Sequence, residues 1–376
     1  MRVIKINEPC IGNEEIELVV NVLKSGILSN RNGSGPIVSS FERKFANYVQ
    51  AKHAVAFCNG TAALHAALLS IGIKAGDEVI VPSFTFSATA NAVVLAGAKP
   101  VFADIDENTY CITSESIQKV ITRKTKAIIP VHLYGLPADL DPIIEIARKY
   151  DAYVIEDAAQ AHGAIYKDKR IGCIGDLTCF SFYAGKNMTT GEGGIVTTKD
   201  EELYNNLRTI RSHGEEKPYW VTRLGHNYRM PELSAAIGLA QLDKLPSFLE
   251  KRRKNAKLLT EILGSLKKLI LPIESEGRKH SWYLYTVRLK GANVAKRNKI
   301  VRKLREKGIE ASVYYETPVH LLPFYEQEFG YKKGMYPECE KAARQVFSLP
   351  VHPKVSEEDI EYIGDTLKKV LKSELA

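Results

Sequence analysis

"FSFYAGKNMTTGEGG", residues 180–194, links two apolar, β-type runs through a short connection that holds one lysine, Lys186. The flanking runs "LTCFSF" (177–182) and "GIVTTK" (194–199) read as strands, and only 11 residues, Tyr183 to Gly193, separate them. A parallel pair needs a crossover of roughly a dozen residues or more, so this pair is expected to be antiparallel. Upstream, five similar runs recur: "HAVAFC" (53–58), "EVIVP" (78–82), "KPVFAD" (99–104), "KAIIPVH" (126–132) and "AYVIED" (152–157). Helical patterns such as "GTAALHAALLSIG", "SATANAVVLAG" and "DPIIEIARKY" separate several of them. Strands buried on both faces and alternating with helices predict an α/β fold: a seven-stranded, mostly parallel sheet between helices.

After about residue 230 the pattern changes to one long amphipathic helix, "ELSAAIGLAQLDKLPSFLEKRRKNAKLLTEIL", in which Pro246 predicts a bend or break. Beyond it come a strand-like "YLYTVRLK", a helix from about Val294 to Lys307 and two terminal helical patterns, which read as a smaller α+β domain. At 376 residues the length prior favours two domains. The expected division is a large domain over 1–245 and a small one over 246–376, the N-terminal segment packing on the small domain.

Composition bounds the function. With 45% hydrophobic and 26% charged residues the chain is an ordinary globular protein. "MRVIKINEPCIGNEE" has no apolar signal region, and no stretch approaches the ~18 uninterrupted apolar residues of a membrane span. Six cysteines are scattered without a CxxC pair, which suggests neither a disulfide framework nor a metal site. A cytoplasmic protein is expected. The formal charge of +8 is carried by basic residues interleaved with acids and without an aromatic-basic motif, so nucleic acid is not an expected partner. A modest positive excess suits an anionic small molecule.

Four features fall at ends of predicted strands, where open α/β sheets hold their ligands. "CNGTAALHAALL" runs from strand to helix through Asn59, Gly60 and Thr61, which is either a plain helix cap or a place for an anion on free backbone N–H groups. "VIEDAAQAHGA" ends a strand on Asp157, followed by Gln160 and His162. A buried carboxylate needs a cation or several donors; a protonated cofactor ring nitrogen or an arginine would each serve. Ser181 and Lys186 share the opening stretch. Phe180 lies where a Walker A loop would begin with glycine, Asn187 replaces its Ser or Thr, and no GxGxxG is present, which leaves Schiff-base chemistry as the strongest functional reading of Lys186. "RLGHNYRMPELSAAIG" brings Asn227, Tyr228 and Arg229 to the start of the long helix, and Arg229 is either a surface residue or a bidentate partner for a carboxylate or phosphate.

A phosphate cradle, a carboxylate for a ring nitrogen and a lysine for an aldehyde are together the three handles of pyridoxal 5'-phosphate (PLP). With these motifs in order, from "PCIGNEEIELVVNVLKSG" through "NGTAALHAAL", "GDEVIVPSFTFSATANAV", "VHLYGLPADLD", "EDAAQAHGA", "FSFYAGKNMTTGEGG" and "GHNYRMPELSAAIG" to "TPVHLLPFY" and "SLPVHP", the chain resembles the DegT/DnrJ/EryC1/StrS family of sugar aminotransferases, of PLP fold type I. The resemblance implies roles. Lys186 matches the lysine that carries the cofactor aldehyde, Asp157 the partner of its ring nitrogen and Gln160 the contact to its phenolic oxygen. Gly60 and Thr61 match the backbone phosphate site and Ser181 its side-chain donor, while Phe86 matches the aromatic covering the ring. Asn227 matches a residue that reaches the phosphate of a neighbouring subunit, which implies a homodimer with shared sites. His320 of "PVHLLP" falls where family members touch the sugar.

The implied reaction moves an amino group from L-glutamate to a keto group of a nucleotide-linked (dTDP, UDP or GDP) deoxysugar, with Lys186 as acid-base and Asp157 keeping the ring nitrogen protonated. A branch of the family that dehydrates deoxysugars carries histidine in place of this lysine. Members acting on cyclitol ketones or making aminohydroxybenzoate are alternatives, and a non-enzymatic regulatory protein is a weaker one. Two departures stand out: "SGILSNRNGSGPIVSSFE" is longer than usual between "SG" and "GP", which places a longer loop near the site mouth, and Gly185 stands where threonine is frequent. His162 and Tyr183 receive no role.

Overall fold

The computed structural model describes residues 3–375. Each of the seven apolar runs forms a strand of one sheet: β1 (His53–Phe57), β2 (Glu78–Pro82), β3 (Lys99–Ala103), β4 (Thr125–Ile128), β5 (Tyr153–Asp157), β6 (Leu177–Ser181) and β7 (Gly194–Thr198). They lie in the order β1-β7-β6-β5-β4-β2-β3. β7 runs antiparallel to both neighbours, with Thr198 opposite His53 on one side and Leu177 on the other. The remaining pairs are parallel. Six strands therefore end at the same edge of the sheet, and β7 begins there.

Because strand side chains alternate, β1, β6 and β7 feed two cores. Val55, Phe57, Leu177 and Cys179 face one core with helices α3 (Gly60–Ser70) and α4 (Ser87–Leu95), which follow α1 (Asn13–Ser25) and α2 (Pro36–Val49). Ala54, Ala56, Phe180 and Ile195 face the other, against Phe41 and Phe45 of α2. The Phe45 ring meets those of Phe180 and Phe182 edge-on at 5.0 and 5.5 Å, the geometry aromatic quadrupoles favour. Two buried faces explain why these strands read as continuous apolar runs.

The second core is completed by the long helix, Glu232–Leu263, which runs unbroken through Pro246. The break expected there does not occur. A proline inside a helix costs about 3 kcal/mol through its missing N–H and its clash with the preceding turn. Buried Leu242 and Leu245 and the neighbouring Leu249, all packed in the second core, offset that cost.

A third core joins Leu259 and Leu263 of this helix to Tyr285, Val287, Ile300, Phe347 and Ile363, and also to Ile4. Its sheet is small: Leu269–Ile270 and Val346–Leu349 flank Tyr285–Leu289, both antiparallel to it. The Ile4 N–H donates to Gly308 O at 2.8 Å and Glu310 N–H donates back to Ile4 O at 2.9 Å, so the N-terminal segment is stitched onto this lobe. We propose residues 246–376 as the small domain, with Val319, Tyr325 and Cys339 crossing back onto the first core. Among the described residues no helix is long and apolar enough to cross a membrane.

Candidate active site

The strand ends converge on a cavity of about 800 Å³. Gly60, Thr61, Phe86, Asp157, Gln160, Ser181 and Lys186 all line it, together with Tyr183, Glu192, Tyr228, Tyr283, Tyr314 and Tyr315. Its anion end is the start of α3. Asn59 caps that helix by accepting from Ala62 N–H at 2.8 Å, and Ala63 N–H closes the first turn on Asn59 O. The amides of Gly60 and Thr61 precede that turn and have no intrahelical acceptor, as at any helix start. Space there is tight: a Cβ on Gly60 would lie 2.7 Å from Ser181 Cβ, and one on Gly194 would lie 2.4 Å from Asn59 O. The glycines of this region thus let three backbones approach one another around an anion-sized hollow.

The lysine loop is stapled by its own hydroxyls. Phe182 O accepts from Thr190 N–H and from Thr189 Oγ1, each at 3.0 Å, and Thr190 Oγ1 donates to Glu192 O at 2.7 Å. Asn187 anchors the loop by donating from Nδ2 to Ser281 O at 3.0 Å. Lys186 is held above the Tyr283 ring, its Nζ 4.7 Å from the centroid. Burial lowers its pKa to about 8, against the opposing pull of Asp157 and Tyr183.

Asp157 ends β5 with 6% of its surface exposed. Its Oδ2 accepts from Thr89 Oγ1 at 2.8 Å and its Oδ1 from Ala159 N–H at 3.1 Å. Burial raises its pKa, while these two bonds, then Lys186 and His132, pull it down. Among the described residues no arginine is a hydrogen-bond partner of this carboxylate, which differs from the structural ion pair considered from sequence. Gln160 accepts from Tyr134 N–H on Oε1 at 2.7 Å and donates from Nε2 to Tyr315 OH at 3.0 Å, which fixes its amide with the NH₂ end in the cavity. Phe86, the residue before α4, is 57% exposed and lines the cavity.

Three sequence candidates lie elsewhere. His320 is fully buried, bonded through Nδ1 to Ser83 Oγ and through Nε2 to Glu340 Oε1 at 3.4 Å, and does not line the cavity. Within this chain its polar atoms are already committed. Asn227 and Arg229 also lie outside the lining, although Tyr228 between them is in it. Asn227 is exposed on a segment pinned by Tyr228, whose N–H donates to Arg211 O and whose O accepts from Cys58 N–H. The extended loop at 29–35 stands away from this cavity too. Arg211, itself fully buried, ties it down through Asn32 O and Ser34 Oγ. His162 packs between Phe180 and Phe182, kept neutral by burial that lowers its pKa to about 3. Tyr183 is exposed and lines the cavity.

Sequence reasoning missed Thr85, Thr89 and the tyrosines at 283, 314 and 315. The two threonines lie four apart around Phe86 at the start of α4, a helical spacing that could have revealed them. The tyrosines arrive from a distant part of the chain with no local signal.

Residues 9–368 match the DegT/DnrJ/EryC1/StrS aminotransferase family. The chain belongs to that family. It is 40% identical to the spore coat polysaccharide biosynthesis protein SpsC of Bacillus subtilis, over 97% of this chain and 96% of that one. It is 38% identical to the GDP-perosamine synthase of Caulobacter vibrioides, over 98% of each. Spr1654 from Streptococcus pneumoniae, named as a sugar aminotransferase and solved in its PLP form, superposes with a TM-score of 0.94 over 100% of both chains at 32% identity. The chain is accordingly a PLP-dependent aminotransferase of fold type I. The cavity fits that cofactor: it offers helix-start amides and the Ser181 hydroxyl for a phosphate, the buried Asp157 carboxylate for a ring nitrogen, and the Lys186 amine.

Proposed function

We propose that this family member transfers the amino group of L-glutamate to the keto group of a nucleotide-linked (dTDP, UDP or GDP) deoxysugar, in amino-sugar biosynthesis for surface polysaccharide or glycosylated metabolites. The observation that carries the reading is the meeting of Lys186 and Asp157 in one aromatic-walled cavity of about 800 Å³. That is large for a cofactor alone and within the range of sites that enclose a sizeable ligand as well. The relatives' names, which speak of spore coat polysaccharide and of GDP-perosamine, support a sugar substrate.

In this reading PLP, when bound, supplies an electron sink that makes the hydrogen on the carbon bearing nitrogen acidic. Lys186 is the residue that would hold the cofactor's aldehyde end, and its amine would serve as the acid-base that carries the proton. Its lowered pKa leaves a larger neutral fraction near neutrality than an ordinary lysine has. Asp157 holds a proton on the ring nitrogen. Gln160 would offer its NH₂ to the phenolic oxygen, Gly60 and Thr61 their amides and Ser181 its hydroxyl to the phosphate, and Phe86 would cover the ring. Glutamate leaves as 2-oxoglutarate and the keto-sugar leaves as the amino-sugar, so nitrogen and electrons balance over the two halves.

The working unit in this reading is a homodimer. Asn227 is exposed and would reach a partner's phosphate, and Arg229, outside this chain's cavity lining and with its Nη1 buried without a partner, would meet a substrate anion only in that assembly. Tyr219, Trp220, Val221 and Leu224 form an exposed apolar stretch beside Asn227, as an interface would. The reaction is placed in the cytoplasm, where six free thiols, four of them buried, stay reduced. The test is a panel of nucleotide-linked keto-sugars incubated with glutamate and the holoenzyme, read by product mass. An amino-sugar and an equal amount of 2-oxoglutarate support the reading; release of 2-oxoglutarate with cyclitol ketones alone overturns it.

A further inference from the structure

Thr89 and Thr85 are almost wholly buried, at 1% and 3% exposure, and their hydroxyls form a chain that ends on Asp157. Thr85 Oγ1 lies 3.0 Å from Thr89 Oγ1, and Thr89 Oγ1 lies 2.8 Å from Asp157 Oδ2. A hydroxyl has one hydrogen and an ionised carboxylate has none. The hydrogen of Thr89 must therefore go to Oδ2, and Thr85 must donate to Thr89. The chain has one direction as long as Asp157 is charged, and it can reverse only if Oδ2 takes a proton.

We infer that Thr89, oriented by Thr85, is a positioning residue for Asp157, fixing its carboxylate so that the remaining lone pairs meet the cofactor ring nitrogen. The inference rests on the assignment of Asp157 to that nitrogen made above. Charge-assisted bonds of this kind are the stronger class, and a buried acceptor deprived of one bears the full cost of its desolvation. The arrangement also ties two functions to one element: Thr85 and Thr89 flank Phe86 at the start of α4, so the same backbone sets the ring cover above and the carboxylate at its edge. Four other titratable groups act on or feel the carboxylate: Lys186 after β6, His132 after β4, Cys179 on β6 and Tyr315 from the C-terminal region. The direct bonds come from Thr89 and the Ala159 amide.

The experiment uses holoenzyme loaded with PLP labelled with ¹⁵N in the ring, followed by NMR across pH for wild type, Thr89→Val, Thr89→Ala, Thr89→Ser and Asp157→Asn. Thr89→Val and Thr89→Ala are expected to move the ring resonance toward the unprotonated position. The midpoint for losing the ring proton should fall by about one pH unit, a tenfold change in the proton equilibrium. Thr89→Ser, which keeps the hydroxyl, restores the wild-type curve. In the Asp157→Asn background Thr89→Val adds no further shift. A wild-type ring curve in both hydroxyl-less variants overturns the inference, as does a Thr89→Ser curve displaced as far as that of Thr89→Val, which would mark a packing role. If Asp157→Asn alone leaves the ring resonance unchanged, it is the assignment of Asp157 that fails.

Discussion

Lys186 differs from a surface lysine in what surrounds its amine: an aromatic face beneath it, protein on most sides and a single carboxylate within electrostatic reach. Removing the amine, as in Lys186→Ala, should cut turnover by at least about a hundredfold, the lower range for a positioned acid-base. It should also abolish the absorbance that marks covalent cofactor. The lowered pKa has a sign that can be tested in the apoprotein. Only the neutral amine attacks an aldehyde, so the rate of cofactor capture should climb as pH rises and level off above about 8. A rate still climbing tenfold per unit at pH 9.5 would show an unperturbed lysine. Asp157 was legible because it closes a strand with a residue that strands rarely end on in a core, and Lys186 because it is the one lysine in the short loop that follows β6. Thr89 was hidden because a threonine inside an apolar helix looks like packing. A sequence match says nothing about which way a side chain faces, and within this chain His320 faces Ser83 and Glu340.

At the scale of elements, the hollow at the start of α3 depends on the absence of a side chain. Gly60→Ala places a methyl 2.7 Å from Ser181 Cβ, so either the helix start or the end of β6 must move. The expected cost is about 1–3 kcal/mol of stability, read as a lower urea midpoint, together with a weaker hold on free phosphate measured by calorimetry. Unchanged phosphate affinity would count against an anion site there. Pro246 offers the opposite case. Pro246→Ala restores a donor to the middle of the long helix and should raise stability by about 1 kcal/mol or more, given the ~3 kcal/mol that an interior proline costs. The seven strands were readable because burial on both faces demands unbroken apolar runs, and the reversed seventh strand was readable because its connection is short. The contact of β1 with β7 was not, since no local pattern records which strands become neighbours so far apart in the chain, as Ala54 and Thr197 or His53 and Thr198 do.

The whole molecule is expected to work as a pair of chains. If Asn227 serves the partner's site, a mixture of Lys186→Ala and Asn227→Ala chains, unfolded together and refolded, should recover up to about a quarter of wild-type activity per dimer site. That figure follows from random pairing that leaves one site in each mixed dimer intact. Recovery no greater than the sum of the two parents would argue that each chain completes its own site. Very little of this level could be read from local sequence pattern, because an interface is a property of exposed surface and the apolar run at 219–224 looks in sequence like any buried strand.

The clasp between Ile4 and residues 308–310 carries a consequence for handling the protein. A lobe that borrows its edge from the opposite end of the polypeptide is incomplete as a fragment: residues 246–376 produced alone would expose the groove that Ile4 fills and should aggregate. A short synthetic peptide spanning the missing clasp, added in trans, should rescue solubility.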